Sequence, residues 1–268
     1  MKRLTERVII MKGAGEMATG VACRLHRSGF RRILMLETPS PLAVRREVSF
    51  CEAIHNGRKS VEGIEAVRIE NGSALADAWE KGKIPLLADP QGDAVRSMEP
   101  DILIDATIAK RNLGIAITDA PLVIALGPGF FAGRDCHLVV ETNRGHNLGR
   151  LIASGEAEPN TGIPGNIGGY TRERVLRAPA DGHFTTEKMI GDKVSKGDVV
   201  GIVGTNTVTA PIDGILRGLI RPGTHVTTGL KIGDIDPRGD AAYCHTISEK
   251  ARALGGSVLE AILTVYNQ

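Results

Sequence analysis

The chain has 268 residues, enough to bury a full hydrophobic core and to divide into two domains. Its 33 Lys and Arg against 31 Asp and Glu leave a formal charge of +2, and aromatics make up only 3%, which argues against nucleic acid as a partner. Four cysteines (Cys23, Cys51, Cys136, Cys244) lie far apart with no Cys-x-x-Cys pairing, which predicts reduced thiols in a cytoplasmic protein. No apolar run approaches the roughly 18 residues that span a membrane, so no membrane partner is expected.

The first element is the apolar, β-branched run Val8-Ile9-Ile10-Met11, too short for a signal-peptide core and read as a strand. It stops at Lys12-Gly13-Ala14-Gly15-Glu16-Met17-Ala18. A helix follows, with Met17, Val21 and Leu25 on one stripe and Ala18 and Ala22 beside them, ending at Ser28-Gly29. Ile33-Leu34-Met35-Leu36 and Glu37 complete a βαβ unit. Gly13-x-Gly15-x-x-Ala18 fits the dinucleotide fingerprint: the first glycine allows the tight turn, the second lets backbone amides approach a phosphate, and Ala18 lets helix and strand pack. The helix start offers N–H donors and a positive dipole end. Glu37 stands where an acidic ribose ligand is usual. Two readings stay open, a nucleotide-like or pterin-like phosphate site and a purely structural turn. Glu16 favours the helix dipole but opposes a phosphate. Arg45 and Arg46, beyond Pro39 and Pro41, either solvate a helix or face a phosphate.

Further short apolar strands follow. Ile84-Pro85-Leu86-Leu87 ends near Asp89, Ile102-Leu103-Ile104 at Asp105, Leu122 to Leu126 at Gly127-Pro128-Gly129, and Leu138-Val139-Val140 at Glu141-Thr142-Asn143. Continuous apolar strands imply a parallel or mixed sheet covered by helices, here a Rossmann-like open sheet whose carboxyl edge is where ligands bind. The run Gly127 to Gly133 holds three glycines, which implies close backbone approach or positive φ. Glu141, Asn143, Arg144 and His146 form either a recognition cluster or ordinary loop residues, with Asn143 as a helix cap, because residues 147–154 read as helical. Residues 160–169, rich in glycine, are a linker or a flap.

Near the C-terminus a short repeat emerges. Ala178-Pro179-Ala180-Asp181-Gly182 recurs as Ala210-Pro211-Ile212-Asp213-Gly214, and Gly191, Val194 and Gly197 recur as Gly223, Val226 and Gly229, always 32 residues on. This is the pattern of the biotinyl/lipoyl hammerhead, a small all-β barrel-sandwich hybrid. The hairpin between its halves, Gly204-Thr205-Asn206-Thr207-Val208-Thr209, has no lysine for a swinging arm, which points away from a carrier. The expected organisation is a Rossmann-like ligand-binding domain over 1–172, a lysine-free β domain over 173–238 and a C-terminal helical segment over 239–268. That segment is read as helical from Ile247 to Leu263, starting at Ser248, interrupted by Gly255-Gly256, and docking on the first domain or on a second subunit.

No histidine spacing suggests a metal site, no Gly-x-Ser-x-Gly elbow or Walker lysine is present, and Cys136, although it follows a glycine-rich loop, reads as a buried inert thiol. No catalytic nucleophile is assigned. The candidate cofactor-binding residues are Gly13, Gly15, Glu16, Met17 and Ala18 at the first turn, Glu37 and Asp105 at strand ends, Gly127 and Gly129 in the second glycine loop, and Glu141, Asn143 and Arg144 beyond it.

The stretches V-I-I-x-K-G-A-G-E-M-A-T-G, L-I-D-A-T-I-A-K-R-N, A-L-G-P-G-F, V-V-E-T-N-R-G-H-x-L-G-R and V-L-R-A-P-x-D-G, spread over nearly the whole chain, resemble the YqeB family, named for selenium-dependent molybdenum hydroxylase maturation. The N-terminal part also resembles the Rossmann domain of XdhC accessory proteins. The resemblance implies a maturation factor that handles a molybdopterin-type cofactor, or a nucleotide, and docks a molybdenum hydroxylase client. An NAD(P)-dependent oxidoreductase is the alternative, drawn from the same turn and Glu37. A homo-oligomer is a further open expectation.

Overall fold

The computed structural model describes residues 2–267, which form two compact units. The first comprises Met1–Pro41, Ser49–Asn160 and Ile247–Gln268. The second comprises Leu42–Val48 and Thr161–Thr246. The architecture is mixed α/β: one large, mostly parallel sheet in the first unit and antiparallel sheets in the second.

In the first unit, β1 (Ile9–Lys12), β2 (Ile33–Glu37), β3 (Arg58–Val61), β4 (Ile64–Ile69), β5 (Ile84–Ala88), β6 (Ile102–Asp105) and β7 (Leu122–Leu126) are followed by β8 (Phe131–Ala132), β9 (Leu138–Val140), β10 (Leu151–Ile152) and β11 (Gly155–Glu156). Nine of them form one sheet in the order β10-β9-β7-β6-β1-β2-β5-β4-β3, while β8 pairs with β11. Strands β4, β5, β2, β1, β6, β7 and β9 run parallel, and β3 and β10 close the edges antiparallel. Ile9, Ile10, Met11, Leu34, Met35, Leu103 and Ile104 are wholly buried, as expected of strands covered on both faces. From β1 the chain steps to β2, passes to the edge hairpin β3–β4, comes back to β5 between β2 and β4, and then crosses to lay β6 on the other side of β1. The topological switch point therefore falls between β1 and β6, where adjacent loops diverge at the carboxyl edge.

Helix α1 (Glu16–Arg27) is followed by the short α2 (Glu52–Asn56), α3 (Leu75–Glu80) and α4 (Asp93–Met98). Leu75 of α3 and Ala94 and Val95 of α4 join the core with Ile10, Leu34 and Leu103. The C-terminal helix of this unit, Glu249–Tyr266, is unbroken and packs on α1, β7 and β9. The expected interruption at Gly255-Gly256 is absent for a packing reason. A Cβ on Gly255 would lie 2.9 Å from Arg24 Cβ and 3.0 Å from the Gly20 carbonyl oxygen, and one on Gly20 would lie 2.7 Å from Ala251 Cβ. These glycines let two helices cross closely. Ser248 caps the start, its hydroxyl accepting from Ala251 N at 3.4 Å. The helix expected over 147–154 does not form: two turns lead into β10, which pairs with β9 through Leu151↔Val140 and Ile152↔Val139.

The second unit adds β12 (Val175–Arg177), β13 (Gly182–Thr185), β14 (Lys193–Val194), β15 (Val199–Val203), β16 (Asn206–Thr209), β17 (Gly214–Leu219), β18 (His225–Val226) and β19 (Lys231–Asp236), with the short helix α5 (Ala242–His245) after them. The strands make two four-stranded sheets, β12-β19-β17-β14 and β16-β15-β13-β18, around an aliphatic core with Phe184 as its one fully buried aromatic. The sequence repeat is a structural one, because its hydrogen bonds are reciprocal. Gly197 N donates to Ala210 O and Gly229 N to Ala178 O, both at 2.8 Å. Gly191 N donates to Leu216 O at 2.8 Å and Gly223 N to Phe184 O at 2.7 Å. The aspartates of the two Ala-Pro-x-Asp-Gly turns do the same: Asp213 accepts from Lys196 N and Asp181 from Thr228 N, each at 2.7 Å. Each half thus closes the turn of the other.

Arg45 and Arg46 belong to this unit and serve neither expected role. Arg45 is 6% exposed and donates to the carbonyls of Tyr243 and Thr246, and Arg46 donates to Leu219 O. They pin residues 42–48 against β17, where Gly218 leaves room for Val44, whose Cγ1 would lie 2.8 Å from an added Cβ. Two carboxylates are buried with arginines: Asp234 with Arg174, and Asp236 with Arg238 at 2.6 Å and Arg217 at 3.6 Å.

Candidate functional site

The glycine turn lies at the switch point. Gly13 has φ +91°, and a Cβ there would meet the Thr107 and Ala106 backbones at 3.0–3.1 Å. This glycine therefore serves both conformation and the close approach of the loop after β6. Its N–H donates to Leu36 O at 2.8 Å. Ala14 N donates to Glu37 Oε1 at 3.1 Å, and Glu37 Oε2 accepts from Thr38 N at 2.6 Å. Ala14 O receives Cys51 N at 2.8 Å and the Thr19 hydroxyl at 3.2 Å. The turn is thus fastened from several sides. Gly15, by contrast, caps α1 with extended backbone (φ −70°, ψ −174°), has no side-chain cap, and faces open space: an added Cβ meets nothing within 4 Å. The first turn of a helix leaves its amides without intrahelical partners, so this end presents donors toward an open front. Glu16 and Met17 are half-buried in that turn, and Ala18 is fully buried against the sheet.

Beside it, Asp105 ends β6 in register with Lys12 of β1. Asp105 is 0% exposed. Its Oδ1 accepts from Thr107 N at 3.1 Å and from the Thr107 hydroxyl at 2.6 Å, while its Oδ2 is buried with no hydrogen-bond partner among the described residues. Burial drives the carboxyl above its ordinary range; Thr107's bonds and the Lys12 charge oppose this without cancelling it. The loop that follows is strained: Ile108 and Lys110 hold positive φ of 55° and 62°. Gly129 supports it, since a Cβ there would sit 2.5 Å from Arg111 N and Cα. Gly127 likewise makes room for Thr142, whose hydroxyl would lie 2.6 Å from an added Cβ. The second glycine loop thus serves backbone packing around the site.

The remaining expected residues split in the same way. Glu141, 2% exposed, accepts from Asn143 N and Glu158 N, both at 2.7 Å, so its carboxylate ties two loops together. Asn143 caps no helix; its amide donates to Glu158 at 2.6 Å. Arg144 pairs with Glu249. One residue had no signal in the sequence. Lys250, half-buried in the first turn of the C-terminal helix, has its pKa pulled below the usual lysine value by burial and by Arg144 and Lys110, with Glu16 and Glu141 opposing. The charges of Glu16 in the α1 turn and of Lys110, Glu141 and Arg144 in the loops after β6 and β9 all act on it, because of where that helix packs. Burial pushes the Cys136 and Cys23 thiols to about 12, so neither is a thiolate nucleophile. Among the described residues there is no cluster of metal-ligating side chains and no helix long and apolar enough to cross a membrane.

No family model matches the chain. The chain is 46% identical over 261 residues, 97% of its length, to a protein of Escherichia coli (strain K12) described as "Uncharacterized protein YqeB", and it spans about half (48%) of that relative. Among solved structures it is similar to a succinylglutamate desuccinylase/aspartoacylase from Rhodobacter sphaeroides, at 18% identity and TM-score 0.23 over 34% of this chain and 28% of that one. It is also similar to an aspartoacylase family protein from Mesorhizobium loti, at 12% identity and TM-score 0.26 over 76% and 55%. The product-bound ectoine utilization protein EutE (DoeB) from Ruegeria pomeroyi matches at 11% identity and TM-score 0.25 over 80% and 61%. Scores this low carry no argument about the reaction of this chain. These findings correct the expected role in selenium-dependent molybdenum hydroxylase maturation and the likeness to XdhC. The relative is described only as uncharacterized, and none of the solved structures named above is described with such a role. The alternative of an NAD(P)-dependent oxidoreductase is corrected on geometry: the Glu37 carboxylate expected on a ribose accepts instead from the amides of Ala14 and Thr38.

Proposed function

We propose that the first unit binds a phosphate-bearing small molecule of the nucleotide class at the switch point, with its anionic group in front of Gly15. The observation that carries this reading is the pairing of an uncapped helix start, open to solvent, with a neighbouring buried carboxylate oxygen that has no partner. An exposed anion acceptor and an unsatisfied hydrogen-bond acceptor for a hydroxyl or amine are complementary to a ligand with a charged end and a polar middle. Lys250, Arg144 and Lys110 add cationic charge around the same edge. The strand order β5-β2-β1-β6-β7-β9 supports a Rossmann-type arrangement, in which ligands sit at this reversal.

For the second unit the reciprocal repeat supports a barrel-sandwich hybrid of the hammerhead kind. Its β15–β16 hairpin turns through Gly204 and Thr205, with register Val203↔Asn206, and neither tip residue is the lysine that a carrier needs. We read it as a fixed platform.

Gly15→Asp tests the ligand site. The backbone at Gly15 suits any residue and an added side chain meets open space. Aspartate is a preferred N-cap and adds favourable charge to the dipole, which together contribute up to about 1 kcal/mol. The variant should fold, melt slightly higher, and lose calorimetric binding of ADP because its carboxylate occupies the anion's position. Undiminished ADP binding by the folded variant, or no binding of ADP by the wild type, refutes the reading.

A further inference from the structure

At the other end of α1 lies a separate cavity of about 280 Å³, lined by Gly20, Arg24, Arg27 and Ser28 of α1 and its end and by Ile247 and Arg252. Three of its six lining residues are arginines. Arg27 pairs with Glu62 at 2.9 Å and Arg252 pairs with the same carboxylate at 2.5 Å. Glu62 reaches that position from the tight β3–β4 turn, where it holds φ +47°, and it also accepts from Ile247 N at 2.9 Å. Burial works against its charge, but these donors outweigh burial and hold the carboxyl below its usual range. One carboxylate is therefore shared by two arginines. The third, Arg24, is exposed and makes no side-chain hydrogen bond or ion pair among the described residues. Its stem is held against Gly255, which lacks the Cβ that would collide with it. His26 is pushed below its ordinary pKa by burial, with the charges of Arg31 and Arg27 adding to the effect.

The positive charge at this pocket exceeds the negative by two, and the planar guanidinium fork is the side chain best matched to a tetrahedral oxyanion. We infer that the Arg24–Arg27–Arg252 pocket is a second binding site of the first unit, for the phosphate group of a small metabolite. Arg24 supplies the uncommitted donors, and the phosphate competes with Glu62 for Arg27 and Arg252. Glu62 is a built-in rival whose strained turn holds the two arginines ready. The site lies at the opposite end of α1 from Gly15, so its occupancy is separable from the reading proposed above.

The test is a phosphate titration, followed by thermal shift at chloride-matched ionic strength, in the Gly15→Asp background, where the switch-point site is closed. Saturable stabilisation by inorganic phosphate is expected. Arg24→Met, which keeps the apolar stem and drops the charge, should weaken the apparent Kd about tenfold, the loss of one charge-assisted contact. Glu62→Gln, which keeps a carbonyl acceptor but removes the rival charge, should tighten it about threefold or more. No phosphate-specific stabilisation in this background, an unchanged Kd in Arg24→Met, or weaker binding in Glu62→Gln overturns the inference.

Discussion

Asp105→Asn should make the unliganded protein more stable at neutral pH while removing a ligand contact. Asn retains one carbonyl oxygen, so the bonds from Thr107 N and Thr107 Oγ1 survive. What changes is the charge. The native carboxyl lies above its ordinary pKa because burial outweighs Thr107 and Lys12, and so the folded protein binds this proton more tightly than the unfolded chain. Stability then falls as pH rises from the unfolded to the native pKa, and above the native value the full penalty applies. The wild-type and variant curves should be furthest apart at pH 7.5 and converge as pH falls toward the ordinary Asp range. A buried polar group without a partner costs about 1–3 kcal/mol. The new amide inherits the orphaned position as a neutral group, so a gain of about 1–2 kcal/mol is expected, or roughly 2–8 °C in Tm for a unit of this size. Urea unfolding followed by circular dichroism at several pH values measures the gap, and calorimetry with ADP should show binding weakened at least about tenfold. A variant less stable than wild type at pH 7.5, or a gap that does not narrow in acid, would refute the assignment of Asp105 as an unsatisfied buried charge.

Two further outcomes test the surroundings. Gly129→Ala places a Cβ 2.5 Å from the Arg111 backbone at φ +100°, and should cost about 2–4 kcal/mol of stability from conformational strain and overpacking; an unchanged urea midpoint would show that the second glycine loop is not the support of the strained loop after β6. In the second unit, Asp234→Ala strands the buried Arg174 guanidinium and should cost about 3–5 kcal/mol, with Arg174→Met in the same chain restoring most of it; a single variant as stable as wild type would mean the pair is dispensable.

Much of this architecture is legible in the sequence. Continuous apolar runs marked β1, β2, β5, β6, β7 and β9, because strands buried on both faces have no polar side to interrupt them. The 32-residue repeat announced the second unit, and its aspartates and glycines proved to be the groups that each half lends to the other. The carboxylates were harder to read. Glu37 and Glu141 stand at strand ends as a ligand-binding acid would, yet both are spent on backbone amides, and only Asp105 retains an oxygen without a partner. Residue type reveals an acceptor but not which donors the fold delivers to it.

Local sequence thus determined which segments are strands, where the chain turns on glycine, and that the β-rich tail is built twice over, since periodicity and backbone freedom are properties of neighbouring residues. Only the tertiary structure decided that Gly255 is a helix crossing and not a break, that residues 42–48 cluster with the β unit, and that Lys250 feels the charges of loops at a sheet edge over a hundred residues away in sequence. Those outcomes depend on which surfaces meet, and burial, which sets both the close approaches and the energies of the charges, exists only once they have met.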